Sequence, residues 1–302
     1  MLARHRQRNL VWIDLTRPTP AEVKALMQEF NLDPLIAEEL LVPSFKPKVE
    51  RRGDAIYVIL HFPAPRVDGT RPQQEIDFVI GKHFLITAHY ETVEPLHAFA
   101  KAFEVSAVLG TAHATHGGHL FAAMARDLYQ SLSAECDALH RKLEAIEDRI
   151  FSGNERQMVV DISQAGRTVH DFRQSLLPHR EMLNSLEPAA VRFFDQAYSY
   201  WVREVIGAFE HVEQTLAHLR DSLQELRTTN DSLLNTKQNE IMKVLTIMAF
   251  VTFPLTLISS IFGMNTHYLP IVGIPGDFWI VLGMMLILAI CFFIYFKRKG
   301  WL

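Results

Sequence analysis

Cysteine is almost missing from these 302 residues: Cys136 and Cys291 are the only two, and they lie far apart. That count excludes a disulfide framework and a thiolate zinc site. Charge of one sign is not in excess either. Thirty Lys and Arg against 34 Asp and Glu leave a net charge of −4, so there is no basic footprint for a nucleic-acid partner. A Walker lysine loop, a GxGxxG after a strand and a Ser/His/Asp motif in context are also lacking. ATP-driven work, an organic cofactor and enzymatic catalysis therefore have no basis in the sequence. The opening stretch MLARHRQRNLVWIDL has no apolar h-region, so the N-terminus is expected to stay in the cytoplasm. With 49% hydrophobic residues, dominant disorder is excluded too.

What is present is concentrated at the end of the chain. Residues 244–262 (VLTIMAFVTFPLTLISSIF) and 278–296 (FWIVLGMMLILAICFFIYF) are two uncharged runs of 19 residues. At 1.5 Å per residue each reaches roughly 28 Å, close to the hydrocarbon thickness of a bilayer. Lys243 precedes the first run and Lys297, Arg298 and Lys299 follow the second, whereas 263–277 carries no Lys or Arg. The positive-inside rule then places both ends in the cytoplasm, as for a multi-pass protein of the inner (plasma) membrane.

Upstream the fold class reads as α+β. Leu10 to Leu15, Ala55 to Phe62, Glu75–Ile80 and His83–His89 have strand composition, the last two forming a hairpin about Gly81-Lys82. Pro20–Phe30 and Pro34–Leu41 read as helices, with Thr19 as an N-cap. From Leu128 to Ile150 apolar residues step by 3 and 4, the seam of an amphipathic helix. A second helix is expected from about Glu155 to Leu186, with Pro188 resetting the chain, and a third of about 70 residues from Val191 to Gly263. The apolar positions of that long helix, Val205, Val212, Leu216, Leu219, Leu223 and Leu226, are expected to find their partners by self-association. The segments are thus 1–118, a cytoplasmic α/β domain; 119–243, a long-helix stalk; 244–263, a first span; 264–277, an outer loop; and 278–302, a second span with a basic tail.

Within the first run, Asn239, Met242, Leu245, Ala249, Phe253, Thr256, Ser260 and Gly263 share one helix face. Such a small, partly polar stripe suits either helix packing or the wall of a wet passage. Pro254 removes one backbone hydrogen bond in mid-span, which Thr hydroxyls or water can replace.

The stretch NEIMKVLTIMAFVTFPLTLISSIFGMN with the terminal YFKRKGWL resembles the membrane region of the CorA family of divalent-cation channels, whose signature is Gly-Met-Asn at the outer end of the first span. DPLIAEELLVPSFKPKVE is similar to that family's interdomain helix, and LPHREMLNSL to its helix-turn before the stalk. The resemblance implies a homopentameric funnel that passes Mg²⁺, with Co²⁺ and Ni²⁺ as further substrates, passively through the bilayer. By the same resemblance Gly263, Met264 and Asn265 form the selectivity filter. Asn239, Met242, Leu245, Phe253 and Thr256 line the pore, and Met242 and Leu245 form a hydrophobic gate. Lys297, Arg298 and Lys299 make a basic cytoplasmic ring. Glu39 and Glu204 fall where the family binds regulatory Mg²⁺ between subunits, each a Glu for the usual Asp.

Two departures bear on the ion. Leu269-Pro270-Ile271-Val272 replaces an acidic loop, leaving Asp277 as the only carboxylate there, and Gly273-Ile274-Pro275-Gly276 resembles the zinc-transporting ZntB branch. Zinc is therefore the alternative substrate, with His267 at the mouth a possible aid, and a non-conducting membrane-anchored sensor is a further alternative. His113, His116 and His119 crowd within seven residues but lie in a Gly-rich linker without a nearby Cys or acid, so no zinc site is expected there.

Overall fold

A computed structural model of the chain describes residues 1–7, 9–44, 46–64, 73–109, 114–265, 267 and 269–301, the side chains of 107–109 excepted. The chain divides into two compact units, Met1–Arg227 and Thr228–Leu302.

In the first unit six strands form one sheet in the order β1-β2-β6-β5-β4-β3. They are β1 Leu2–Gln7, β2 Leu10–Thr16, β3 Lys48–Arg52, β4 Ala55–Pro63, β5 Gln73–Ile80 and β6 Phe84–His89. β2 and β6 pair in parallel, while the other neighbours are antiparallel. The expected β5–β6 hairpin is present: Gly81 N–H donates to the Phe84 carbonyl at 2.9 Å, and a Cβ at Gly81 would lie 2.2 Å from the Phe84 ring. β1 and β3 were not anticipated. Both are sheet edges, LARHRQ and KVERR, and charge on an edge strand hides the apolar alternation that marks a strand.

Helices α1 (Pro20–Phe30) and α2 (Pro34–Glu39) cover one face, packing Val23, Leu26 and Ile36 onto Ile13, Tyr57, Ile59 and Ile86. Thr19 caps α1 as expected, its hydroxyl accepting from Glu22 N–H while Glu22 accepts from Thr19 N–H at 2.9 Å. The opposite face meets α3 (Glu94–Leu109), α4 (Gly117–Phe151), α5 (Glu155–Leu176) and α6 (His179–Phe193). There Trp12 packs edge-on against Phe99, and Phe78 against Phe121. The α4 seam from Leu128 to Ile150 is buried throughout.

The break after α5 comes at Leu177–Pro178, ahead of the expected end, and Pro188 sits inside α6 without ending it. Leu183, Leu186, Ala190 and Phe193 bury one stripe of α6, and that packing outweighs the one hydrogen bond Pro188 cannot make. Next comes α7 (Tyr198–Phe262, 65 residues), beginning later than Val191. Its positions Val205, Val212, Leu216, Leu219, Leu223 and Leu226 are buried within the chain, where Phe209 meets Tyr129 of α4 and Leu223 closes on Gly166 of α5. Self-association is thus not what buries them.

In the second unit the end of α7 and α8 (Asp277–Arg298) form a helical hairpin. Lys243 Nζ donates to the Gly300 carbonyl at 3.1 Å, so the basic residues entering the hairpin and those leaving it stand at one level.

Candidate ion pathway

The apolar stretches of α7 and α8 are 6% and 0% buried inside the chain. A core helix of a soluble domain would be mostly buried, and each large apolar side chain left in water forgoes roughly 1.5–3 kcal/mol. The two helices therefore require lipid or further protein around them.

The part of α7 that is covered meets α8. Ile247 and Val251 line a groove with Leu286, Ile290, Phe293 and Phe296, and Phe250 contacts the Phe296 ring. At about 100° per residue, Met242, Leu245, Ala249, Phe253, Thr256 and Ser260 lie on the opposite side of the helix. Met242 is 54%, Leu245 53% and Phe253 72% exposed, and Asn239 and Thr256 are exposed as well. The five residues assigned to the pore by resemblance thus share one uncovered stripe.

Three threonine hydroxyls near this stripe are already committed as donors. Thr256 Oγ1 donates to the Thr252 carbonyl at 2.9 Å, and Thr252 and Thr246 donate to the Met248 and Met242 carbonyls, each at 2.7 Å. The bonds about Pro254 therefore end on Met248 and Thr252, not on Phe250, whose carbonyl loses its usual partner to the proline. A hydroxyl that donates inward keeps its lone pairs outward. That polarity suits hydrated Mg²⁺, whose shell presents water hydrogens.

Helix α7 ends at the signature. Gly263 N–H donates to the Ser259 carbonyl at 2.9 Å and Met264 N–H to the Ile261 carbonyl at 3.3 Å. A Cβ at Gly263 would lie 3.1 Å from the Ser259 carbonyl oxygen, close enough that the turn must give by a few tenths of an ångström. Met264, Asn265 and His267 are exposed beyond it. Asp277, the loop's one carboxylate, is taken up locally: it accepts from Gly273 N–H at 3.2 Å and from Phe278 N–H at 2.7 Å, at the start of α8. As an acidic residue in the first turn of α8 it faces the positive end of the helix dipole, which makes it less a lure for cations.

At the other level Lys297 and Arg298 occupy the last turn of α8 and Lys299 its C-cap, the end where the helix dipole favours cations. Lys299 lies over the Tyr295 and Trp301 rings.

The two carboxylates assigned to regulation are not brought together within the chain. Glu39, at the end of α2, receives Lys48 Nζ at 2.6 Å. Glu204, on α7, accepts from Tyr200 OH at 3.3 Å and lies 3.9 Å from Arg126. Each already has a cation beside it, which sequence reading missed. Lys48 lies in the quoted KPK stretch, but nothing in its spacing names Glu39 as its partner. His116 and His119 stack face to face with ring centroids 3.8 Å apart, an arrangement that does not converge their nitrogens on a common ion. Burial lowers the pKa of His116 to about 4. His113 lies outside the described residues.

The sequence profile described as CorA-like Mg2+ transporter protein matches residues 7–298. The chain belongs to the CorA family. This is a family of membrane transporters, not of enzymes. The cobalt/magnesium transport protein CorA of Thermotoga maritima is 24% identical over 293 residues, covering 96% of this chain and 83% of that protein. Its counterpart in Methanocaldococcus jannaschii is 25% identical, with 97% and 92% covered. The complete structure of the CorA magnesium transporter from Methanocaldococcus jannaschii matches with a TM-score of 0.84 at 23% identity, over 99% of this chain and 93% of that one. The α/β sheet domain, the long helix and the two apolar C-terminal helices are accordingly the architecture of that protein.

Proposed function

We propose that the chain is a passive divalent-cation channel of the inner (plasma) membrane, with Mg²⁺ its principal substrate and Co²⁺ and Ni²⁺ accepted. Five copies set the uncovered stripe of α7 around a common axis, and α8 faces lipid. Asn265 forms the outer ring, where neutral amide oxygens contact the hydration shell of an ion without holding it too tightly to leave. Met242 and Leu245 close the passage by dewetting. N- and C-termini are cytoplasmic, because the basic residues at the Lys243–Gly300 level face inward.

The observation that carries this reading is the stripe itself: exposed in the single chain, opposite the α8 contact, flecked with Thr, Ser and Asn, and ending at Gly-Met-Asn. A non-conducting sensor has no use for it.

Cytoplasmic Mg²⁺ bridging Glu39 of one copy and Glu204 of the next favours the closed state, so a fall in Mg²⁺ opens the channel. To reach these carboxylates the ion displaces Lys48 and Arg126.

Reconstitution into liposomes with Mg²⁺, Co²⁺, Ni²⁺ and Zn²⁺ tests the assignment. Asn265→Ala is expected to abolish Mg²⁺ selectivity while the assembly persists; selective flux at the wild-type rate would remove Asn265 from the mouth. The second reading, zinc transport, rests on the GIPG loop and the exposed His267, and dominant Zn²⁺ flux would favour it.

A further inference from the structure

A groove of about 380 Å³ opens in the first unit between β1, α3, α4 and α7, within the usual size range of small-molecule sites. Phe99, Phe103, Leu120 and Trp201 make its walls apolar; besides Ser106, whose hydroxyl is spent on the Phe103 carbonyl at 2.8 Å, three polar side chains interrupt them: Gln7, Arg126 and His119.

All three present donors. Gln7 is only 8% exposed, and its Nε2 is buried without a hydrogen-bond partner among the described residues, as is Arg126 Nε. The Arg126 guanidinium has carboxylates near it, Asp127 and Glu204, but each at 3.9 Å, beyond hydrogen-bond reach. His119 Nδ1 accepts from Thr115 N–H at 3.4 Å, which leaves Nε2 carrying the proton. Burial lowers the pKa of this imidazole, so it stays neutral at cellular pH and donates through Nε2.

A buried donor without an acceptor costs free energy that a ligand oxygen would recover. Three donors on one apolar groove call for an anionic oxygen on a hydrophobic body, and a guanidinium fits a carboxylate in two-point geometry. We propose that this groove binds a small apolar carboxylate, with Arg126 and Gln7 holding the carboxylate and Phe103 and Trp201 clasping its hydrophobic part. Asp127 and Glu204, 3.9 Å from the guanidinium, are not among the residues that line the groove. The site stands independently of the channel reading, although the same guanidinium borders Glu204.

The test uses the full-length protein in detergent and 1-naphthoate as probe, followed by titration calorimetry with the micelle-only heat subtracted. One saturable site per chain is expected. Arg126→Met weakens binding at least tenfold, Gln7→Leu about threefold, and Ala123→Trp, which fills the groove, abolishes it; melting curves verify that each variant is folded. The uncharged 1-naphthamide binds at least tenfold more weakly than naphthoate. The proposal is overturned if wild type shows no saturable naphthoate binding, if Arg126→Met and Ala123→Trp both bind as wild type does, or if the amide binds as well as the acid.

Discussion

Asp77 of β5 is fully buried and takes the Tyr57 hydroxyl as donor at 3.0 Å. Burial and the nearby Glu75 and Glu39 carboxylates hold its pKa well above the ordinary Asp range. A proton is then taken up on folding between the unfolded and native values. The contribution of Asp77 to stability is complete at acid pH and is lost as pH rises through that window. Asp77→Asn keeps an acceptor for Tyr57 and removes the titration. It is expected to raise the melting temperature more at pH 8 than at pH 5, by a few degrees as measured by differential scanning fluorimetry; a lower melting temperature at pH 8 would mean the carboxylate is needed as an anion. His179 pulls the other way. It joins Tyr129 OH at 2.7 Å to the His61 carbonyl at 2.9 Å, and burial takes its pKa down to about 4, so its stabilising effect fades as pH falls from about 6.5 towards 4. Glu39 gives a test of regulation at the same scale. Its Lys48 partner is partly exposed, and such pairs are worth about 1 kcal/mol or less. Lys48→Met should lower the Mg²⁺ concentration for half-maximal protease protection about two- to fivefold, while Glu39→Ala with Glu204→Ala removes the Mg²⁺ dependence. Equal midpoints in wild type and Lys48→Met would show that the lysine does not compete with the ion.

At the scale of the element, the glycine inside α7, Gly207, and the one just past its end, Gly263, stand in contrasting surroundings. A Cβ at Gly207 meets nothing within 4 Å, whereas one at Gly263 comes within 3.1 Å of the Ser259 carbonyl. Gly207→Ala is expected to stabilise the helix by about 0.5–1 kcal/mol. Gly263→Ala is expected to displace the turn that presents Asn265 and to cut Mg²⁺ uptake severely without loss of expression. Uptake at the wild-type rate from Gly263→Ala would mean that the turn tolerates the displacement. The sequence showed α7 and α8 plainly, because 19-residue apolar runs leave few alternatives. Helix ends were less legible. Pro188 resembled a stop and proved to lie within α6, and the true break fell at Leu177–Pro178. A lone proline yields to tertiary packing, and a sequence does not say how strong that packing will be. β1 and β3 escaped for a related reason: their outward charges mark them as edges only once the sheet exists.

For the whole molecule, the surface left uncovered decides how copies meet. The seam of α7 from Val205 to Leu226 is satisfied inside one chain, but the stripe from Met242 to Ser260 is not. Leu245→Cys, in a background lacking Cys136 and Cys291, is expected to cross-link under oxidation into disulfide-linked pairs of chains, with light scattering of the reduced protein giving a pentamer. A monomer in mild detergent, or a Leu245→Cys protein that never cross-links, would show that this face does not line a shared axis.

Composition and periodicity by themselves marked two helices long and apolar enough to cross a bilayer and a small α/β domain ahead of them, and the family resemblance supplied the residues proposed for the ion path. These are local properties: run length, spacing and the side of a helix on which a residue falls. Tertiary structure decided which apolar stripes find cover within the chain, that Lys48 and Arg126 stand beside Glu39 and Glu204, and that Gln7, His119 and Arg126 share one groove. Such pairings join residues far apart in sequence through close packing, and no short-range pattern in the chain encodes them.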